Sequence, residues 1–148
     1  MLQLLLMLLA VAAGAVLPIQ ALLNARLGQV AGSSTVGTLV SFVVGALALT
    51  AAVLAQGQVG RELTALRSAP PVLFVGGLLG AMYVATVVAL TPRLGAGLTV
   101  GLVVVGQLAL AVALDHFGGL GLPVHPLTLP RALGLALLLL GVWLIKTY

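Results

Sequence analysis

The sequence predicts an all-α integral membrane protein with five transmembrane helices, and three observations support this fold class. The first is composition: 62% of the 148 residues are hydrophobic, 5% are charged, and the mean hydropathy is +1.33. Soluble domains carry about 25% charged residues, so most of this surface must face lipid. The second observation is a series of long apolar runs, and the third is an even division of Lys and Arg between the two sides that these runs define.

The apolar runs give the predicted spans, since one crossing needs about 20 mostly apolar residues. Thr91, Pro92 and Arg93 are expected to form a tight turn between the third and fourth spans. We expect a single transmembrane domain over residues 1–148, with spans at about residues 2–27, 35–56, 71–90, 94–115 and 128–147.

The first span has a second interpretation as a secretory signal, because residues 12–15 are small and could form a cleavage site. However, no Lys or Arg precedes the apolar run, and the run continues to Leu23. Both features are unlike a signal peptide, so we expect the first helix to be retained.

The fifth span is marginal in length, because residues 132–145 cover only about 21 Å of a hydrocarbon core that is about 30 Å thick. A helix that begins at Thr128, with Thr128 as the N-cap and Pro130 in the first turn, reaches a sufficient length. Arg131 and Lys146 would then extend toward the headgroups. We therefore expect this segment to cross the membrane.

The cations carry no orientation signal, because an excess of Lys and Arg on one side is what normally orients a membrane protein. We therefore expect insertion in both orientations and an antiparallel homodimer around a two-fold axis in the membrane plane. Five spans cannot contain a complete inverted repeat, and a second, opposed copy would supply the missing half. The side of the N-terminus holds Arg61, Arg67 and Arg131, and the opposite side holds Arg26, Arg93 and Lys146.

Composition also excludes several functions. The chain has no cysteine, which excludes disulfides, thiolate catalysis and cysteine metal sites. The cations lie singly at span ends and form no stripe, so we expect no nucleic-acid partner. Two acidic residues and two histidines do not supply a catalytic set, so we expect no enzyme. Asp115 and His116 with the distant His125 make a poor metal site, because adjacent residues diverge around a helix, and no metal or cofactor is expected.

Small residues recur every four positions on three spans, and at that spacing two helix backbones can approach closely. The alternative is the ordinary tolerance of glycine in membrane helices. Three spans with such a repeat favour a compact bundle held by small-residue contacts. The residues are Gly37, Ser41 and Gly45 on span 2, Gly76 and Gly80 on span 3, and Gly97 and Gly101 on span 4.

Polar side chains inside the spans are the candidate substrate-binding residues, because such groups must face protein or water. Gln20 and Asn24 share one face of span 1, just beyond Pro18, which is expected to bend the helix. Their alternative role is to cap loop backbone near the headgroups. Gln107 lies deeper and is the first choice; its alternative is an interhelical hydrogen bond, worth about 0.6 kcal/mol. Tyr83 on span 3 is a weaker candidate.

Asp115 and His116 end the fourth span and have two interpretations. As a functional pair, the carboxylate would attract cations or couple to protons, helped by a histidine that can titrate near neutral pH. As a structural pair, Asp115 would form a surface ion pair at a helix end. Its partner would be one of the cations on the same side, or a cation of an inverted neighbour: Arg61, Arg67 or Arg131 in the first case, and Arg26 or Arg93 in the second. The ion pair is the favoured interpretation.

Several short motifs are similar to those of a known family, and the last of them is the most specific. Together they resemble the YdcZ-type family of small bacterial membrane proteins. The resemblance implies a half-size, five-helix member of the drug/metabolite transporter superfamily in the bacterial inner membrane. It also implies relatives that occur as dual-topology proteins, opposed pairs or fused ten-span chains, but no substrate. The motifs are Leu17-Pro18-Ile19-Gln20 with Asn24, Ser41-Phe42 with Gly45, Gly76-Gly77 with Gly80 and Tyr83, Gly106-Gln107, and Asp115-His116-Phe117-Gly118.

The favoured function is a secondary transporter of a small molecule, working as a dual-topology antiparallel homodimer by alternating access. No acidic residue lies at mid-span, so a neutral or weakly polar substrate is favoured over a cation exchanged for protons. One alternative is a dual-topology ion channel, since small residues and amides can line a narrow pore. The other is a non-transporting membrane scaffold whose amides and glycines only hold helices together.

Overall fold

The computed structural model describes residues 1–57, 60, 64, 66–121 and 123–148. Within these residues the fold is all-helical and contains no strand, and five helices are long and apolar enough to cross a membrane. The predicted class of five membrane-length helices is therefore confirmed. The loop position expected for Arg61 lies outside the described residues. The helices are α1 (Leu2–Val30), α2 (Ser34–Ala55), α3 (Val75–Leu94, preceded by a 3-10 turn at Pro71–Phe74), α4 (Ala96–Phe117) and α5 (Leu129–Thr147).

The chain divides into two compact units, Met1–Arg93 and Leu94–Tyr148. In the first unit, α1 packs against α2, and the connection between them is only three residues long. Gly32 in this turn has a φ of +69°, a left-handed conformation that glycine adopts without a steric cost. Ser33 is the N-cap of α2, and its hydroxyl accepts a hydrogen bond from the Val36 N–H at 3.4 Å. The two helices therefore form a tight hairpin.

The crossing of α1 and α2 brings two glycines into direct backbone contact. A Cβ atom built on Gly37 would lie 2.5 Å from the Gly28 nitrogen, 2.7 Å from the Gly28 Cα and 2.9 Å from the Asn24 carbonyl oxygen. No residue other than glycine fits at Gly37 without displacing backbone. In lipid, where the hydrophobic effect does not drive helices together, this close approach supplies the van der Waals packing.

The junction between α3 and α4 differs from the expected turn. Thr91, Pro92 and Arg93 all lie inside α3, which ends at Leu94, and the single residue Gly95 separates the helices. Gly95 has a φ of +81°, which favours glycine. The prediction of a turn at Thr91–Arg93 was wrong because a proline can be accommodated near a helix end, while the break between the two helices uses a conformation that glycine supplies.

The second unit consists of α4, α5 and their connector, and α4 packs against α5. A Cβ on Gly101 would lie 3.0 Å from Cγ2 of Val142, a buried residue of α5. Thr128 is the N-cap position of α5 with a proline in the first turn, although its side chain makes no capping bond. The 19 residues of α5 extend about 28 Å, close to the thickness of the hydrocarbon core.

Candidate functional site

A small cavity between α1 and α3 brings together three of the four residues expected to bind substrate. Gln20 and Asn24 approach it from α1, and Tyr83 approaches it from α3. Its volume is about 20 Å³, which is room for one water molecule but not for a larger ligand. Asn24 is buried, Tyr83 is partly buried and Gln20 is exposed, and the cavity is partly open and bordered mainly by apolar side chains. The remaining lining residues are Leu17, Ala21, Val84, Val87 and Val88.

Asn24 is the most constrained polar residue of this cavity. It is 5% exposed, and its backbone carbonyl lies at the crossing with Gly37. Among the residues that the structure describes, the side-chain Nδ2 has no hydrogen-bond acceptor. Asn24 therefore does not cap loop backbone, the alternative role suggested by its closeness to Arg26. A buried amide donor without an acceptor costs about 1–3 kcal/mol, so it needs a partner.

Two buried threonines avoid the cost of an unpaired buried donor. The hydroxyl of Thr91 donates to the Val87 carbonyl at 2.7 Å, and that of Thr99 donates to the Gly95 carbonyl at 2.7 Å. Each of these hydroxyls is satisfied within its own helix, one turn earlier. An asparagine side chain presents two donors and an acceptor in a plane and is not satisfied in this way at Asn24. The unpartnered amide of Asn24 is therefore a polar group of the cavity that Asn24 lines.

The depth of the cavity can be read from the position of its residues along α1. The helix has 29 residues, so its midpoint is near Val16. At 1.5 Å per residue, Gln20 lies about 6 Å and Asn24 about 12 Å from that midpoint, against a half-core of about 15 Å. For a hydrocarbon core centred on α1, the cavity therefore extends from the middle of the span toward the end that carries Arg26, within that core.

Gln107, the first choice from the sequence, lies in the other unit and is not a lining residue of this cavity. It sits at the middle of α4, which runs from Ala96 to Phe117, and its side chain is exposed on the helix surface. An amide facing lipid at this depth is unfavourable by a few kcal/mol, as an order of magnitude. The amide of Gln107 is therefore more stable against a polar group than against lipid.

The glycines expected to pack helices fall into two groups. Gly37 and Gly101 lie at close crossings, and Gly97 lies 3.9 Å, measured from its added Cβ, from Ile145 Cγ2. Ser41 is partly buried on α2. Gly45, Gly76 and Gly80 have nothing within 4 Å of an added Cβ, so their faces are open in the single chain.

The end of α4 is tied to the following connector by Asp115 and His116. Arg131 donates from one guanidinium nitrogen to Asp115 Oδ2 at 3.0 Å and from the other to the His125 carbonyl at 3.0 Å. The His125 N–H donates to the Asp115 carbonyl at 2.8 Å, and the Leu127 N–H donates to His116 Nδ1 at 3.0 Å. Both side chains therefore hold the connector against the helix, and Asp115 forms the ion pair rather than facing the membrane interior alone.

A family model described as "Putative inner membrane exporter, YdcZ" matches residues 5–144. The chain belongs to the YdcZ family. The match runs from the first turns of α1 to near the end of α5, so the resemblance drawn from short motifs is confirmed over almost the whole chain. No curated protein and no solved structure matches the chain significantly.

Membership of the YdcZ family and the five apolar helices make this a multi-pass inner-membrane protein. An exporter family is a class of transporters and is not a class of enzymes, so the general prediction of a transporter is supported. In this YdcZ protein the first unit contains the small cavity lined by Asn24, and the second contains the connector that His116 holds against α4.

Sequence reasoning missed Gly28 and the apolar wall of the cavity in this YdcZ chain. Ala21, Ala25 and Gly28 recur at helical spacing with Asn24 and are all buried, so a small-residue face on α1 was visible in the sequence. Val87 and Val88 carry no such signal, because valines on an apolar helix look alike whether they face lipid or protein. His125 and Leu127 act through their backbone, which the sequence does not distinguish.

Proposed function

We propose that this YdcZ-family chain is a secondary transporter that exports a small, neutral or weakly polar molecule from bacterial cells. The observation that carries the proposal is the convergence of Gln20, Asn24 and Tyr83 on one intramembrane cavity. A cavity of about 20 Å³ is too small for a substrate, so α1 and α3 must separate during the cycle. Alternating access supplies that separation.

The charges near the cavity favour a neutral substrate. A cation held inside the membrane needs a negatively charged partner, and the three polar lining residues are two amides and a phenol. Asp115 belongs to the other unit and is paired with Arg131. Hydrogen bonds from amides and a hydroxyl suit carbonyl, hydroxyl or amide groups on an otherwise apolar molecule.

The second part of the proposal is that the transporter is a dual-topology antiparallel homodimer. Gln107 supports it, because it lies at the midpoint of α4 with an exposed amide. A two-fold axis in the membrane plane passes through the middle of the bilayer, so a residue at that depth meets its own copy when its helix face lies at the axis. An amide is both donor and acceptor, and two Gln107 side chains can satisfy each other.

The helix faces on which glycines contact nothing offer a packing surface for the proposed homodimer. Gly76 and Gly80 on α3, and Gly106 beside Gln107, have open space where a Cβ would lie. Large apolar side chains such as Leu78 and Leu79 are exposed around them. A second copy could approach these faces closely, as small residues allow in membrane bundles.

Export can be tested in proteoliposomes with a panel of neutral and cationic fluorescent dyes. We expect flux of neutral dyes that is lost in Asn24→Ala and Gln20→Ala, and in Gln107→Ala through loss of the dimer. Gln3→Ala is the matched control, because Gln3 is an exposed amide on the same helix, outside the cavity. Unchanged flux in folded Asn24→Ala protein would remove the cavity from the mechanism, and single-channel currents would identify a channel.

The antiparallel arrangement can be tested by disulfide cross-linking, because the natural chain has no cysteine. Val104 and Leu110 are exposed on α4, three residues before and after Gln107. In an antiparallel pair centred on Gln107, Val104→Cys of one copy lies opposite Leu110→Cys of the other. A mixed disulfide between differently tagged chains is expected. Cross-links only between identical positions would indicate parallel copies.

A further inference from the structure

We propose that the cavity between α1 and α3 is a site for one ordered water molecule that links the two helices. In this site the water accepts a hydrogen bond from Asn24 Nδ2 and donates one to the backbone carbonyl of Val88. The inference goes beyond the transport function and does not depend on it, because it concerns the resting contact between two helices.

The first observation is the unpartnered donor. Asn24 is 5% exposed, and Nδ2 has no acceptor among the described residues. Inside a bilayer no bulk water can reach the amide, and backbone and side-chain polar groups must be satisfied by protein or by bound water. The acceptor must fit the cavity that Asn24 lines.

The second observation is the size and polarity of that cavity. A site for one water needs at least about 10–15 Å³ and two to four polar partners, and this cavity has about 20 Å³. Gln20 and Tyr83 line it together with Asn24, so polar groups are present on both helices. A cavity lined only by apolar side chains of this size would exclude water.

The third observation concerns the acceptor that we propose on α3. Val88 is 1% exposed and lines the cavity. Pro92 lies inside α3, four residues later, and it has no N–H to donate to the Val88 carbonyl. Freed carbonyls near prolines in membrane helices are commonly satisfied by ordered waters. The water thus compensates a missing donor on α3 and a missing acceptor on α1 at once.

A spectroscopic test is direct, because Asn24 is the only asparagine in the chain. Selective 15N-asparagine labelling gives one side-chain amide signal, whose cross-peaks can be measured in nanodiscs of perdeuterated lipid. We expect a cross-peak to a long-lived water. Cross-peaks to neighbouring methyl groups alone, with no water signal, would overturn the proposal.

Two variants test the link itself. Asn24→Leu removes the donor that holds the water and leaves the Val88 carbonyl without a partner, so we expect a lower melting temperature. A higher melting temperature would mean that the amide is simply unsatisfied, and would overturn the proposal. Gln3→Leu, on the same helix but outside the cavity, is expected to leave the melting temperature unchanged.

Pro92→Ala restores an N–H donor for the Val88 carbonyl, so the water loses one of its two partners. We expect the water cross-peak of Asn24 to weaken severalfold or disappear in this variant. An unchanged cross-peak would overturn the assignment of Val88 as the acceptor. Because these readouts need no substrate, their failure is distinguishable from a failure of the proposed transport, which the dye fluxes report.

Discussion

Gly37 on α2 lies directly against the backbone of Gly28 on α1, so close that a Cβ on Gly37 would be 2.5 Å from the Gly28 nitrogen. We expect Gly37→Ala to lower the free energy of unfolding by about 1–3 kcal/mol, since one added methyl group forces two helix backbones apart. The measurement is unfolding in mixed SDS micelles, followed by circular dichroism.

Gly14→Ala is the matched control for this prediction. Gly14 lies on α1 and has nothing within 4 Å of an added Cβ. The substitution should be neutral or slightly stabilising, because alanine favours helix over glycine by up to about 1 kcal/mol. Equal losses in Gly14→Ala and Gly37→Ala would show that the Gly28 crossing is not a specific contact.

The second prediction concerns two glycines on α4 that face α5. An added Cβ on Gly101 lies 3.0 Å from Val142 Cγ2, whereas one on Gly97 lies 3.9 Å from Ile145 Cγ2. Valine has a restricted χ1 and cannot easily turn away, so Gly101→Ala should destabilise by about 1 kcal/mol or more. Gly97→Ala should be neutral, because 3.9 Å is an ordinary van der Waals contact.

A double-mutant cycle checks the cause. Gly101→Ala combined with Val142→Ala removes the clash, so the double variant should be more stable than the two single effects predict, by about 0.5 kcal/mol or more. Strict additivity of the two substitutions would argue against a direct contact between Gly101 and Val142.

The third prediction concerns the hydrogen bond between the Leu127 N–H and His116 Nδ1. His116→Phe keeps a ring but has no acceptor, so we expect the Leu127 amide to exchange its hydrogen at least about tenfold faster, for a loss of about 1.4 kcal/mol or more. His116→Asn keeps an acceptor at the position of Nδ1 and should retain most of the protection. Hydrogen exchange followed by NMR measures both, and equal exchange in the two variants would contradict the role of Nδ1.

The fourth prediction concerns orientation in the membrane. If the two sides are balanced in Lys and Arg, a single added lysine should tip the population. Ala69→Lys, in the connector before α3, should favour the N-terminus inside, and Leu94→Lys should favour it outside. Reporter fusions at the C-terminus measure the two populations, and a natural chain found on one side only would contradict dual topology.

The sequence predicted the helices well because membrane helices are specified by length and hydropathy. The α5 start near Thr128 followed from capping and proline rules, and the helix begins at Leu129. The turn after α3 was misplaced because proline is a strong but indirect stop signal, while the break between α3 and α4 falls at Gly95, which has a positive φ. The residues at a helix end therefore determine where that helix ends only when the backbone there requires one particular conformation.

The site was predictable in part, for a related reason. Gln20 and Asn24 share a helix face by spacing alone, and the structure places that face on a cavity. Gln107 was ranked above them because its depth was clear, but depth does not say which way a side chain faces. The contact between Gly37 and Gly28 could likewise not be predicted from the sequence. Which residues of two helices meet depends on how the helices cross, and the spacing of small residues on either helix does not specify that.

The three-residue turn between α1 and α2, from Ala31 to Ser33, contains no charged side chain. Arg26, near the same end of α1, is therefore the one Lys or Arg that the α1–α2 hairpin would carry across a bilayer. During synthesis the α1–α2 hairpin can close on its glycine contact and enter the membrane as one piece before the later helices emerge. Under the proposed dual topology, the orientation that Arg26 favours is then opposed by Arg67 and reinforced by Arg93 as the later segments emerge.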